Sequence, residues 1–141
     1  MLRAALFLAF LALPAASPIR AQAPAIRVFL GNDGQYAAGD RAPVEVQAGD
    51  DGYLLVAQVD PERRIRILFP LDPTDDNYIR GGRTWRILGR GDRDGFLADL
   101  GGDGVVFAAV SADPWQFDRY SLNGHWDLRT LNAEPVADPE T

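Results

Sequence analysis

The sequence predicts an all-β fold, an immunoglobulin-like β-sandwich of about seven strands with a short helical C-terminal tail. Two observations lead to this class. Apolar and polar residues alternate at every second position in several short segments, which is the period of a β-strand. Clusters of Gly, Pro, Asn and Asp separate these segments at short intervals, as turns do in sandwiches and barrels.

The N-terminal segment, residues 1–23, is predicted to be a signal peptide. It carries one charge at Arg3, an apolar run from Ala4 to Leu13 and small residues that end at Ala23, which is the layout of a secretory signal. The apolar run has half of the roughly 20 residues that cross a bilayer. We therefore expect an exported protein, periplasmic or secreted, without a transmembrane anchor after signal cleavage.

The composition of the remaining chain excludes several classes of function. Removal of Arg3 and Arg20 leaves 12 basic and 20 acidic residues, a formal charge of −8, so we expect no nucleic-acid partner. The chain has no cysteine for a disulfide or a lipid anchor. Every basic residue is arginine, which removes catalysis by lysine.

Candidate strands follow one another through the first half of this domain: Ile26–Leu30, Val44–Ala48, Tyr53–Val59 and Ile65–Phe69. The third has apolar residues on both faces, which indicates a central strand. Asp60 and Pro61 suit the first two positions of a type I turn. The third and fourth strands are therefore predicted to form a hairpin.

In the second half, a polar loop, Tyr78-Ile79 and the turn Gly81-Gly82 precede candidate strands at Thr84–Leu88, Phe96–Leu100 and Val105–Ser111. Asp113-Pro114 then resembles a helix N-cap followed by proline at the first helical position, which predicts a short helix from Pro114 to Ser121. We expect a single β-sandwich domain over residues 24–132, including this aromatic helical segment. Residues 133–141, which are small, acidic and proline-containing, are predicted to form a flexible tail.

Short motifs recur in a fixed order between Ile26 and Pro114: Tyr36, Gly39-Asp40, Val44-Glu45-Val46, Asp51-Gly52-Tyr53-Leu54, Asp60, Leu68-Phe69-Pro70 and Asp76-Asn77. Their order and spacing resemble the bacterial family catalogued as domain of unknown function 4384 (DUF4384). The resemblance implies an exported or accessory β domain, often attached in other proteins to peptidase or kinase-like partners, with no agreed activity. It implies turn and core chemistry at the shared positions, so no catalytic residues are carried over from the family. Arg63 stands near a place that usually holds glycine, which predicts a different type of turn. The segment from Trp115 to Leu131 lies outside the resemblance.

Catalytic residues are not predicted. Nucleophilic hydrolysis needs an activated nucleophile beside a base, and after the signal peptide the chain has only Ser111, Ser121 and the single His125. Ser121 and His125 would meet on a helix, but Gly124 lies between them. A carboxylate-based hydrolase is a weaker alternative, because most acidic residues lie in turn sequences and are expected to accept backbone hydrogen bonds there.

An oxygen-rich loop offers the candidate metal ligands Asp72, Asp75, Asp76 and Asn77, which suit calcium. The spacing of this loop begins like an EF-hand. The match then fails, because the sixth position is not glycine and Arg83 occupies the place of the bidentate glutamate. No cofactor is predicted, and a calcium-stabilised envelope domain stays as an alternative.

Four aromatic residues close to the C-terminus, Trp115, Phe117, Tyr120 and Trp126, are the candidate ligand-binding residues. Tryptophan and tyrosine are favoured at binding surfaces because each offers a large rigid face and a polar group. The alternative is that these rings close an open face of the core. Our main hypothesis is an exported, non-catalytic binding or accessory module of the bacterial cell envelope, with a protein or envelope partner.

Overall fold

The computed structural model describes residues 26–98 and 104–133, and the predicted signal peptide and residues 134–141 of the predicted tail lie outside these ranges. The described chain is mostly β, as predicted. In chain order the strands are β1 (Ile26–Leu30), β2 (Asp40–Ala42), β3 (Val44–Ala48), β4 (Gly52–Val59), β5 (Ile65–Phe69), β6 (Tyr78–Ile79), β7 (Arg83–Ile87), β8 (Phe96–Ala98), β9 (Val105–Ser111), β10 (Ser121–Leu122) and β11 (His125–Trp126). One α-helix, α1 (Leu128–Leu131), follows them, and 3-10 turns span Gly31–Gly34 and Asp118–Tyr120.

The first sheet is antiparallel and has the order β1-β3-β7. Its central strand, β3, alternates strictly between buried and exposed residues. Val46 faces inward and stands between Val28 of β1 and Trp85 of β7. This is the alternation that the sequence predicted for a strand with one face in water.

The second sheet is built around β4, which is buried or half-buried along its whole length. Strand β9 pairs with one edge of β4, from Tyr53 to Val59. Strands β5 and β6 pair with successive parts of the opposite edge. The central position of β4 and its hairpin with β5 confirm the prediction from the sequence, and the pairing shifts register between Val56 and Ala57.

Both sheets contribute to one hydrophobic core. The core residues are Val44, Val46, Ala48 and Ile87 from the first sheet, and Leu54, Val56, Leu68 and Ile79 from the second. Two further antiparallel pairs, β2 with β8 and β10 with β11, lie outside these sheets. The described residues therefore form several sheets that include many short strands, and an immunoglobulin-like sandwich of seven strands is not confirmed.

The turn between β4 and β5 depends on one residue with a left-handed backbone. The N–H of Arg63 donates to the carbonyl of Asp60 over 2.8 Å, which closes the turn. Arg63 itself has φ +64, the conformation that glycine adopts without strain. Arg63 thus has a left-handed backbone of the kind that favours glycine, although it carries a side chain.

The predicted helix from Pro114 to Ser121 does not form. A 3-10 turn of three residues occupies Asp118–Tyr120, and the chain then enters β10. Asn123 and Gly124 have φ values of 52° and 79°, the paired positive values of a type I′ turn, which favours a hairpin. The hairpin of β10 and β11 takes the place of the predicted helix, and the α-helical part of the tail is α1.

Candidate functional site

The C-terminal segment, residues 114–133, is attached to the rest of the domain by two tryptophans. The indole Nε1 of Trp115 donates to the carbonyl of Tyr53 at the start of β4, over 2.9 Å. The indole Nε1 of Trp126 donates to the carbonyl of Pro70, just after β5, over 3.1 Å. Each tryptophan thus satisfies its polar group while its ring is half-buried.

The other two candidate aromatic residues lie in the same segment. Phe117 packs edge-to-face against Trp126, with ring centroids 4.8 Å apart and ring planes at 74°. Tyr120 is half-buried, and the guanidinium carbon of Arg119 lies 5.9 Å from its ring centroid. The structure therefore brings Phe117 and Trp126 into contact, whereas Trp115 forms a separate anchor on β4.

A third anchor joins the end of the C-terminal segment to the outer edge of β5. The side-chain Oδ1 of Asn132 accepts a hydrogen bond from the N–H of Ile65 over 2.6 Å. The Nδ2 of the same amide donates to the carbonyl of Ile65 over 3.3 Å and to that of Leu128 over 2.9 Å. One side-chain amide thus pairs with both backbone groups of Ile65, as a neighbouring strand would.

Helix α1 owes its start to Asp127, which caps its N-terminus. The Asp127 carboxylate accepts hydrogen bonds from the N–H groups of Arg129 and Thr130 and from the Thr130 hydroxyl. The hydrogen bonds from Thr130 lower the pKa of Asp127 below its usual value, because they favour the ionised form. Residues 128–132 are thereby held where Asn132 can reach β5.

Asp72 connects the loop after β5 to two other parts of the chain. Its Oδ1 lies 3.0 Å from Nδ1 of His125 and 2.7 Å from a guanidinium nitrogen of Arg90. The hydrogen bond with His125 is the largest cause that lowers the pKa of Asp72 below its usual value, and the hydrogen bond with Arg90 is the next. The His125 side chain is 70% exposed, so this pair lies at the surface and not in a cleft.

The remaining candidate calcium ligands have separate hydrogen-bond partners. Asp75 accepts from the N–H of Asp72, and Asp76 from that of Tyr78, each over 3.0 Å. Asn77 is buried and donates through Nδ2 to the carbonyl of Leu54 over 3.0 Å. Within the described ranges, no group of three or more His, Asp or Glu residues could hold a metal ion.

Ser121 and His125 do not form a catalytic pair. In the β10–β11 hairpin Ser121 stands opposite Trp126, and His125 stands opposite Leu122. His125 instead contacts Asp72. The hairpin therefore directs the histidine toward a carboxylate and away from the serine.

Two exposed apolar side chains of the C-terminal segment were missed by the sequence analysis. Leu122 is 59% exposed and Leu128 is 55% exposed. The signal that could have found Leu122 is the Asn123-Gly124 pair, which marks a hairpin turn and so places its neighbours at a surface tip. No such local signal marks Leu128.

The motif residues hold turns and strands together. The Asp51 carboxylate accepts the N–H of Gly81 over 2.7 Å. The backbone of Asn77 accepts the N–H of Leu54 over 2.9 Å, which complements the side-chain bond described above. The Phe69-Pro70 peptide bond is cis. These roles agree with the turn and core chemistry that the resemblance implies.

Comparison with known proteins shows where this pattern belongs. The family described as domain of unknown function (DUF4384) matches residues 35–114, more than half of the chain. The chain belongs to the DUF4384 family. The matched region of DUF4384 starts after β1 and ends at Pro114, so residues 115–133 of the C-terminal segment lie outside it. No curated protein and no solved structure matches the chain.

None of the helices among the described residues of this DUF4384 protein is long and apolar enough to cross a membrane. The short α1 and the two 3-10 turns are the helical elements in those ranges.

Proposed function

We propose that this DUF4384 protein is an exported, non-catalytic binding or accessory module of the bacterial cell envelope. The observation that carries the proposal is the C-terminal segment, which is attached to the family domain at three points and still exposes apolar side chains. Export is supported by the layout of residues 1–23. A non-catalytic role is supported by the separation of Ser121 from His125 across the hairpin.

The exposed apolar groups, Leu122 and Leu128, belong to a segment that is held in place. Leu122 lies between the anchored Trp115 and Trp126, and Leu128 lies between Trp126 and the anchored Asn132, so each leucine belongs to a stretch with fixed ends. Because the backbone that carries these apolar side chains is already fixed, less conformational entropy is lost when a partner binds. Exposed apolar groups of this kind favour a protein-interaction surface.

The charges around these leucines define the partner that would fit. Exposed charges of both signs, Asp118, Arg119 and Arg129, lie on the same segment, and charges near an interface favour a partner of complementary charge. We expect a protein partner whose contact surface has an apolar centre and charged residues of complementary sign. Binding of this type would place the family domain beside an envelope protein.

Export is tested by fractionation of cells that produce the full chain. We expect the protein outside the cytoplasm, with its N-terminus at or close to residue 24 by mass spectrometry. Leu8→Arg, which interrupts the apolar run, should leave an unprocessed chain in the cytoplasm. Equal fractionation and processing of the two forms would contradict export by this segment.

The binding surface is tested by site-specific photo-crosslinking in intact cells. A photoreactive residue at position 122 should give a discrete crosslinked product of higher mass. The control places the same residue at Arg27, which is exposed on β1 in the first sheet. Products that are identical at both positions, or absent from both, would count against the C-terminal segment as the contact surface.

A further inference from the structure

A pocket opens between the two sheets at the end that carries β1, β8 and the start of β9. Its walls include the apolar side chains of Leu30, Phe96 and Val106. Three polar side chains also line it, those of Tyr36, Gln58 and Asp60. No residue of the C-terminal segment borders this pocket, so it is a different site from the surface proposed above and does not depend on that proposal.

Gln58 is the unusual residue of the pocket. It lies near the end of β4, opposite Val106, and only 8% of its surface is exposed. Its side-chain amide has no hydrogen-bond partner within residues 26–98 and 104–133, where the other buried polar residue, Asn77, is bonded to Leu54. Among the described residues, every fully enclosed side-chain N or O atom has a hydrogen-bond partner. The unpaired Gln58 amide is therefore not fully enclosed, and it borders the pocket that Gln58 lines.

A buried amide without a partner lowers stability, and leucine or methionine at the same place would not. Leu54 and Val56, which precede Gln58 on β4, are apolar and fully buried. Gln58, the next inward-facing residue after Leu54 and Val56, therefore departs from the apolar pattern of its own strand. Polar groups that break the pattern of a core are found where a site requires them.

The other polar groups give the pocket no uncompensated charge. The Asp60 carboxylate accepts hydrogen bonds from the backbone N–H and the Nε of Arg64, over 2.9 and 2.8 Å. The Tyr36 hydroxyl donates to the carbonyl of Gly31, and burial raises the pKa of Tyr36, so the phenol is neutral. The pocket therefore has no unpaired opposite charge that would compensate for the desolvation of a charged ligand.

We propose that this pocket binds an uncharged carboxamide attached to a small apolar body, with Gln58 as the residue that selects it. A carboxamide carries a donor and an acceptor side by side, and the amide of Gln58 offers the complementary acceptor and donor. The apolar body would lie against Leu30, Phe96 and Val106. Ligand sites of this composition, apolar walls with a few converging polar groups, are common in proteins.

The test is an NMR titration of the full chain with isobutyramide, in which the side-chain NH2 signals of Gln58 are followed. We expect saturable shifts of these signals. 3-Methylbutan-2-one, which lacks the donor, should bind about tenfold more weakly, the effect of one lost hydrogen bond. Isobutyrate, whose charge would be buried without an opposite charge, should bind more weakly still. Linear shifts without saturation, or equal affinity for all three compounds, would overturn the proposal.

Two sources of the carboxamide are separated by a second arm of the titration. If isobutyramide and the peptide Ala-Gln-Ala each bind and Ala-Met-Ala does not, the natural ligand of the pocket is an amide side chain of a protein. Binding of isobutyramide alone assigns it to a small free molecule. If neither isobutyramide nor Ala-Gln-Ala shifts the Gln58 signals, a carboxamide site of either kind is contradicted.

Two variants separate selection by Gln58 from a structural role. Gln58→Met keeps the length of the side chain and removes the amide, so it should abolish the preference for isobutyramide and leave or raise the melting temperature. Gln47→Met, on the exposed face of β3, is the matched control and should keep the preference. Ala98→Leu, which fills the pocket wall and keeps Gln58, should block binding. Unchanged affinity in Gln58→Met and Ala98→Leu would refute the proposal.

Discussion

The Nδ1 of His125 and the Oδ1 of Asp72 lie 3.0 Å apart although 53 residues separate them in the chain. Since a carboxylate cannot donate, the ring N–H is the donor in this bond. Arg90 contacts the same oxygen over 2.7 Å. Two loops and strand β11 are thus joined at one carboxylate, and the contact with His125 couples the ionisation of Asp72 to the C-terminal segment.

Stability should depend on the charge of Asp72. Its pKa is lower in the folded protein than the usual 3.8, so the stabilisation is present above pH 4 or so and is lost as the pH falls through the folded-state value. Asp72→Asn should lower the melting temperature at pH 7, and the difference should shrink by about pH 2. Circular dichroism at both pH values measures it. Asp92→Asn, in an exposed turn, is the control; a difference that is independent of pH would contradict this role.

Arg63→Gly should stabilise the protein. The left-handed φ of +64 at Arg63 costs a residue with a side chain about 1 kcal/mol or more, and glycine avoids this cost at some expense in unfolded-state entropy. We expect a net gain of about 0.5 to 1 kcal/mol in the free energy of unfolding, measured with urea. Glu62→Gly, whose φ is not positive, should destabilise, and a loss of stability in both variants would disprove the argument.

Gly95 should not tolerate a side chain. A Cβ at this position would overlap the carbonyl oxygen of Ala42, and the backbone φ is +48. Gly95→Ala should therefore cost about 3 kcal/mol or more in the free energy of unfolding. At Gly91 φ is also positive, but a Cβ would meet nothing within 4 Å, so Gly91→Ala should cost about 1 kcal/mol. Equal costs at the two positions would show that the close approach to Ala42 is absent.

Asn132→Leu should detach the end of the C-terminal segment from β5. The variant leaves the N–H and carbonyl of Ile65 without their side-chain partner, which should cost about 1 to 3 kcal/mol. Chemical unfolding measures this loss. Gln116→Leu, at an exposed position in the same segment, should change the free energy of unfolding by less than about 0.5 kcal/mol; the reverse order of the two costs would refute the clamp.

Calcium should leave the melting temperature unchanged. Arg90 contacts Asp72 over 2.7 Å, and a divalent cation at this carboxylate would be repelled by the positive charge of the guanidinium. A ligand that binds only the folded state raises its stability. Differential scanning calorimetry in excess calcium and in excess chelator should give the same midpoint, and a higher midpoint with calcium would favour the calcium-stabilised alternative.

Local patterns in the sequence were enough to predict most of the sheet. Period-two alternation predicted β3 and β5 with the bounds that the structure has, and apolar runs predicted those of β1 and β9. Local reasoning failed in the C-terminal segment, where the Asp113-Pro114 pair favoured a helix. The Asn123-Gly124 turn and the tertiary bond of Trp115 to Tyr53 decided that structure instead.

The geometry of the candidate site could not be predicted for a different reason. Asn132 and Ile65 are 67 residues apart, and Trp126 and Pro70 are 56 residues apart. Such contacts depend on how the whole chain folds and leave no local pattern in the sequence. The left-handed backbone at Arg63 was also missed, because arginine itself gives no sign of a positive φ and the absence of the usual glycine near this place was interpreted as a change of turn type.

Hydrogen exchange at the Ile65 amide tests most directly whether the C-terminal segment is an attached part of the domain. This N–H donates to the Asn132 side chain over 2.6 Å and lies on the outer edge of β5. We expect NMR to show protection of the Ile65 amide well above that of an unstructured peptide, and its loss in Asn132→Leu while β4 stays protected. Free exchange at Ile65 in the unaltered protein, with β4 protected, would mean that the end of the segment is not attached, which contradicts the fixed binding surface proposed around Leu128.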